Sequence, residues 1–295
     1  MHFLPWRPPK KCIQYRHILP KFGLISSKIV YKEMKPEDYA QGDAFQAEKR
    51  TVFSTEWLPV CAEAQLARPG DFLSATVGGW GVVAVRGQDG EVRVLRNACR
   101  HQNMPVVGVP AGNCESFRCR FHGWTYDLAG RFLAAPAPVA PPDLKADLGL
   151  QSLATARAAG LLFFSMGKPA TAPSIGALAA YGGTLSTDIA CNWKVAVEHL
   201  LGEQRESSAD FSWHWPLLAL RRAGQLAIVA QVVPQTFLRT RLLTHVFGGS
   251  ADEHKQAAGT IKHACERLQA DRAAGTMPEG DGALLAEFHR RLAAD

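Results

Sequence analysis

No apolar run in this 295-residue chain approaches the roughly twenty residues of a membrane span, so no membrane association is expected. Its seven cysteines are odd in number and scattered, which excludes a disulfide framework and points to a reducing, cytoplasmic setting. Residues 1–32 hold no acid at all: Arg7, Lys10, Lys11, Arg16, Lys21, Lys28 and Lys32 contribute +7 to a formal net charge of +6, leaving the remainder at −1. The basic balance thus belongs to one segment and is not a nucleic-acid footprint. That segment also lacks the apolar core of a secretory signal, a twin arginine and a clean amphipathic period, and reads as a basic arm poorly ordered at its start. Met34, ahead of Lys35-Pro36-Glu37-Asp38-Tyr39, opens more ordinary sequence and is a candidate initiation site that N-terminal sequencing would test.

What the chain does have is a mixed ligand set. Cys99-Arg100-His101 is followed, seventeen residues later, by Cys119-Arg120-Phe121-His122. Two thiolates and two imidazoles also suit a structural zinc ion, but zinc modules keep like ligands together with two to four residues between cysteines. Here each pair mixes Cys with His, as suits a 2Fe-2S cluster held by two loops, with one thiolate and one imidazole from each. Cys114 lies between the pairs without a His at ligand spacing and reads as a buried free thiol; Cys12, Cys61, Cys191 and Cys265 show no pattern.

Around these pairs the pattern is that of a small antiparallel β domain. Asp71–Val77, Gly81–Arg86 and Val92–Asn97 are strand-like, with a turn at Gln88–Glu91, and Asp127–Gly130 has turn chemistry below the second pair. A further apolar strand, Gly160–Met166, closes the domain. The expected organisation is an arm and lead-in over 1–44, a β domain over 45–166, an Ala/Gly/Pro/Ser/Thr-rich linker over 167–188 and a second domain over 189–295.

The segments "NACRHQNMP" and "CRFHGWTYDLAGRF" resemble the Rieske domain of the ring-hydroxylating oxygenase α-subunit family. Gln102-Asn103 replaces the family's usual Arg-Gly. Respiratory Rieske proteins carry an extra cysteine in each loop and a Ser two residues after the second His, where this chain has Met104, Phe121 and Trp124. Fewer donors to the sulfurs imply a potential toward the negative end of the Rieske range. The resemblance implies an α+β chain: an all-β Rieske 2Fe-2S domain followed by a truncated helix-grip-like catalytic domain of antiparallel sheet and helices. It also implies a reductase or ferredoxin as electron donor and a homo- or hetero-trimer with oxygenase subunits.

In the second domain "CNWKVAVEHLLGEQRESSAD" is similar to the family's first iron-site helix, matching at Asn192, Trp193, Lys194 and Glu198. Glu203 fits the acid that bridges to a neighbouring subunit's Rieske histidine. The two His ligand positions hold Glu206 and Phe211, and the register set by Cys265-Glu266-Arg267-Leu268-Gln269 places Ile261 at the Asp ligand. Mononuclear Fe(II) needs two imidazoles and a carboxylate on one face, and neither Phe nor Ile donates a lone pair. One substitute set remains: His199, Glu203, Glu206 and Asp210 fall at i, i+4, i+7 and i+11 of a helix and offer an atypical site through His199, Glu206 and Asp210. Its bland counterpart is a solvated polar face. His214, between Trp213 and Trp215, reads as packed.

Only two or three strands are evident beyond this helix, over 225–233 and 236–245, an incomplete sheet whose edge the closing helices 251–268 and 281–294, or another subunit, would cover. The final helix is similar to the family's, which places the shortening inside the domain. Two functions follow. In one, the chain is an electron-transfer or structural subunit serving an active oxygenase partner through His122 and Glu203. In the other, it is an oxygenase acting on a small aromatic or quaternary-ammonium substrate with an unconventional iron site. A decaying gene product that folds only its Rieske domain is a third reading.

Overall fold

The computed structural model describes residues 34–136, 148–167, 169, 171–202, 210–276 and 282–294. The basic arm, Cys12, Glu203 and Glu206 lie outside them. The end of the expected lead-in and the first residues of the expected β domain are helical: α1 (Pro36–Ala40), α2 (Gly42–Arg50) and α3 (Val52–Thr55) carry Tyr39, Phe45 and Phe53 into the core.

Ten short strands follow, β1 (Leu58–Ala62), β2 (Asp71–Val77), β3 (Trp80–Arg86), β4 (Val92–Arg96), β5 (Ala111–Asn113), β6 (Ser116–Arg118), β7 (Thr125–Asp127), β8 (Phe132–Ala134), β9 (Ala154–Ala158) and β10 (Leu161–Ser165). They form three small antiparallel sheets, ordered β4-β3-β2-β5, β6-β7-β8 and β1-β10-β9. The β2–β3 hairpin turns on Gly78-Gly79, both at positive φ, the backbone a two-residue hairpin needs. Gly78 donates its N–H to the Pro234 carbonyl, tying this turn to the second sheet.

The second half holds β11 (Tyr181–Ile189), α4 (Trp193–Gly202), β12 (Phe211–His214), β13 (Leu218–Ala223), β14 (Leu226–Thr236), β15 (Arg239–Phe247), α5 (Lys255–Ala273) and α6 (Ala283–Ala294). Its sheet has five strands in the order β11-β15-β14-β13-β12, so the expectation of two or three strands is corrected. The linker expected over 167–188 is likewise too long. From Tyr181 it is an edge strand, paired with β15 from Tyr181↔Phe247 to Ile189↔Thr240. Its Gly, Ser and Thr give no apolar alternation, since only Ile189 of the strand is fully buried; β15 sets its register. Helix α5 packs along β11 and covers that edge.

Helix α4 is anchored by the motif residues. Asn192 caps it, its side-chain oxygen accepting from the Lys194 N–H at 3.0 Å, while its amide donates to the Phe237 carbonyl. Trp193 and Lys194 both donate to Glu48 on α2. Glu198, 4% exposed, accepts from Tyr39, His289 and Arg272, which join it to α1, α6 and α5. A buried carboxylate is tolerated when it is paired and hydrogen-bonded in this way. No helix among the described residues is long and apolar enough to cross a membrane.

Candidate functional site: a cluster pocket and an apolar cavity

The first pair of candidate ligands follows β4 and the second lies between β6 and β7. Their loops share one backbone frame. In the first, Cys99 N–H donates to the Met104 carbonyl (2.8 Å) and Asn103 N–H to the Cys99 carbonyl (2.7 Å). In the second, Cys119 N–H donates to the Trp124 carbonyl (2.8 Å) and Gly123 N–H to the Cys119 carbonyl (2.9 Å). The fourth residue after each cysteine has positive φ, 58° at Asn103 and 71° at Gly123. Asn is among the few side-chain-bearing residues that enter this region readily, which explains how Gln102-Asn103 stands in for Arg-Gly. Asn97 pins the first loop, its oxygen accepting from the Val106 and Val107 N–H groups and its amide donating to the Val107 carbonyl.

The two sulfurs belong to residues 1% and 2% exposed, while His101 and His122 are half-buried toward the loop tips. The imidazole centroids are 4.6 Å apart and nearly perpendicular. His101 Nδ1 is buried with no hydrogen-bond partner, an arrangement that costs free energy unless something else takes its lone pair. Trp124 stacks on His101 at 5.2 Å and 14°. Where the resemblance led only to a missing Ser, the chain thus uses this residue for its ring.

Tyr126 is the functional residue the sequence reading missed. Its hydroxyl accepts from the Arg100 N–H at 3.1 Å and lies 3.2 Å from Cys99 Sγ, placed to donate to that sulfur when it is a thiolate. Burial raises the phenol well above its ordinary pKa and keeps it a donor. The only sequence signal was its inward place on β7, two residues after Trp124. Met104 and Phe121, 36% and 43% exposed, sit apart from any sulfur chemistry on the surface of the tips.

These residues fit a cluster better than a single ion. Two buried sulfurs, an orphaned imidazole nitrogen and a second imidazole beside it suit a diiron core in which each iron takes only two protein ligands. A zinc shell requires four donors around one point, and no group of three His, Cys, Asp or Glu converges on one point among the described residues. Cys61, Cys191 and Cys265 are buried and outside any disulfide, whereas Cys114, expected to be buried, is half-exposed.

Two of the three positions that the resemblance assigns to mononuclear iron, both among the described residues, are also brought together, as hydrocarbon. Phe211 on β12 and Ile261 on α5 line the same cavity of about 400 Å³, between the sheet and α5, with Leu200, Ala219 and Ala230. Of the substitute stripe, His199 and Asp210 are described. His199 is on α4, but Asp210 is in an exposed turn, its carbonyl accepting from the Arg222 N–H at 2.6 Å as the β12–β13 pairing begins. Glu203 and Glu206 are outside the described residues. His214 packs with its Nε2 3.1 Å from Ser212 Oγ, and burial lowers its pKa.

A family model for the Rieske [2Fe-2S] domain matches residues 56–154. Residues 56–154 of this chain are a Rieske [2Fe-2S] domain homologous to that of ring-hydroxylating dioxygenase α subunits. Over 101 residues, 34% of the chain, it is 39% identical to the benzene 1,2-dioxygenase α subunit of Pseudomonas putida. It is 37% identical over 103 residues to the biphenyl dioxygenase α subunit of Paraburkholderia xenovorans. Both matches span 22% of the relative's length, so the chain covers about a fifth of each of these relatives. In fold, the chain is similar to a quaternary ammonium Rieske monooxygenase, with a TM-score of 0.70, 18% identity, and coverage of 89% of this chain and 94% of that one. It is also similar to naphthalene 1,2-dioxygenase, with a TM-score of 0.56, 17% identity and coverage of 90% and 82%. The Rieske protein's cofactor is a 2Fe-2S cluster.

Proposed function

We propose that this Rieske protein is an electron-transfer subunit: it takes single electrons from a reductase or ferredoxin and delivers them to a partner oxygenase, in a homo- or hetero-trimer. Cys99 and Cys119 hold the inner iron and His101 and His122 the outer one. When bound, the 2Fe-2S cluster supplies a one-electron redox couple. The chain's own residues shield the sulfurs, stack and orient His101 through Trp124, and donate to Cys99 through Tyr126. The half-buried imidazoles lie where a partner can approach, and Glu203 is the bridging acid of this reading.

The observation that carries this reading is the contrast at Phe211 and Ile261, which meet at one cavity and bring no lone pair to it. The relatives' names attach dioxygenase activity to complete α subunits, and those of the structural neighbours attach oxidation of quaternary ammonium compounds such as L-carnitine. For this chain to act so, His199, Glu206 and Asp210 would have to serve as an iron site, and Asp210 sits beyond the helical stripe that suggested it.

Metal and sulfide analysis of the iron-reconstituted protein tests the choice. Two irons and two sulfides per chain, with no oxygen uptake alone in the presence of reductase and a panel of aromatic and quaternary-ammonium substrates, are expected. A reproducible third iron that disappears in Glu206→Ala would overturn the proposal.

A further inference from the structure

The cavity between the second sheet and α5 has a chemistry of its own. Its wall is largely aliphatic and aromatic, from Phe211, Ile228, Ala230 and Ile261. Thr244, on β15, lines it too, and three further polar residues bear on what it accepts. Thr260 has already given its hydroxyl to the Gln256 carbonyl at 3.2 Å. Arg221 brings positive charge to the wall. His254, at the N-cap of α5, also lines the cavity, and its Nε2 is buried with no hydrogen-bond partner.

We propose that this cavity is a metal-free binding site for a small neutral alcohol or phenol, whose hydroxyl pairs with His254 after a turn of the imidazole toward the cavity. Size sets the first limit: apolar cavities of about 150 Å³ hold benzene, so one of about 400 Å³ takes one or two rings or an equivalent branched skeleton. The orphaned nitrogen sets the second. A hydroxyl both donates and accepts, so it satisfies Nε2 in either imidazole tautomer. A plain hydrocarbon leaves the nitrogen unpaired, and that loss favours the hydroxylated ligand. A quaternary ammonium ion would meet Arg221 and His254 and no carboxylate among the described lining residues. The site therefore differs in preference from the carnitine-type cations of the structural neighbours, and, being metal-free, it rests on the reading that this cavity holds no iron.

Calorimetric titration of the cluster-loaded full chain with phenol, benzene and tetramethylammonium tests it. Phenol is expected to bind about tenfold or more tightly than benzene, and tetramethylammonium to give no heat. In His254→Phe the phenol preference should vanish while benzene still binds. Ala230→Leu, or Ile228→Phe if the first does not fold, should block both ligands with the visible spectrum of the cluster unchanged. Equal affinities for phenol and benzene, a preference that survives in His254→Phe, ligand binding that survives filling of the cavity, or tighter binding of the cation would each overturn the proposal.

Discussion

The cluster loops and the cavity are two versions of one problem: residues distant in sequence brought to a common point. At the loops, Cys99, His101, Cys119 and His122 arrive on matched hydrogen-bonded backbones, with buried sulfurs and an unpaired His101 nitrogen. At the cavity, Phe211 and Ile261 arrive just as reliably, from β12 and α5, and bring only carbon. The difference teaches that convergence is a property of the fold and donation a property of the side chain. The polar ties of α4, from Asn192 to Glu198, maintain the second frame whether or not it holds metal.

The comparison breaks most visibly in iron content. Cys99→Ser should take the reconstituted protein from two irons per chain to nearly none, because a cluster thiolate has no substitute nearby. Ile261→Ala should leave both irons while costing about 2 kcal/mol of stability from lost packing. Iron assay and visible absorbance, with urea denaturation alongside, check both. Equal iron loss in the two variants would sink the contrast.

A converse experiment restores donors to the surviving frame. Glu206→His combined with Phe211→His and Ile261→Asp recreates two imidazoles and a carboxylate. Without metal, these groups in an apolar cavity should cost roughly 4 kcal/mol, since polar side chains replace hydrocarbon. Adding ferrous iron should recover stability and bring a third iron per chain, read by metal analysis and by the shift in melting temperature. Failure to bind it would show that the frame has collapsed as well as the donors.

The same contrast explains what could be read from sequence. Ligand pairs and turns are local, so Cys99/His101, Cys119/His122 and the Asp127–Gly130 turn were legible, as was β2 over Asp71–Val77. Strands whose register comes from a partner were not: β11 is Gly- and Thr-rich and borrows its order from β15, while β12 and β13 carry Ser, His and two arginines. Glu48 serves Trp193 from 145 residues away and Tyr39 serves Glu198 from 159, separations at which no spacing rule operates. The missing iron ligands were legible by register, but their meeting at one cavity needed the fold.

A buried relay from β1 into the second sheet adds a test by pH. The Pro59 carbonyl on β1 can only accept, so the Gln231 amide donates to it at 2.9 Å and turns its oxygen to His245 Nε2, also at 2.9 Å. His245 therefore carries hydrogen on Nε2 and accepts at Nδ1 from Thr184, whose oxygen in turn accepts from Tyr181. Protonation would cost the Thr184 bond, and burial pushes His245 down to about 4 from its ordinary 6.5. The unfolded chain then takes up a proton before the folded one does. This contribution is full above about pH 6.5 and fades as pH falls toward 4, by about 3 kcal/mol in all. Urea midpoints at half-unit pH steps should show that slope, and His245→Asn should flatten it; an unchanged slope would remove His245 as its source.

The smallest expected effect lies at the sulfur. Reduction adds negative charge to the cluster, and a hydroxyl donating to Cys99 Sγ stabilises that charge more than it stabilises the oxidised form. Tyr126→Phe removes the donor, leaves the ring in place, and orphans the Arg100 N–H only at a half-exposed loop. The midpoint potential should fall by about 50 mV, equivalent to a differential of about 1 kcal/mol for a one-electron couple. The iron content should stay at two, which separates tuning from loss of the cluster. Protein-film voltammetry reads the shift, and a potential unchanged within about 10 mV would mean that the phenol serves the loop backbone and not the sulfur.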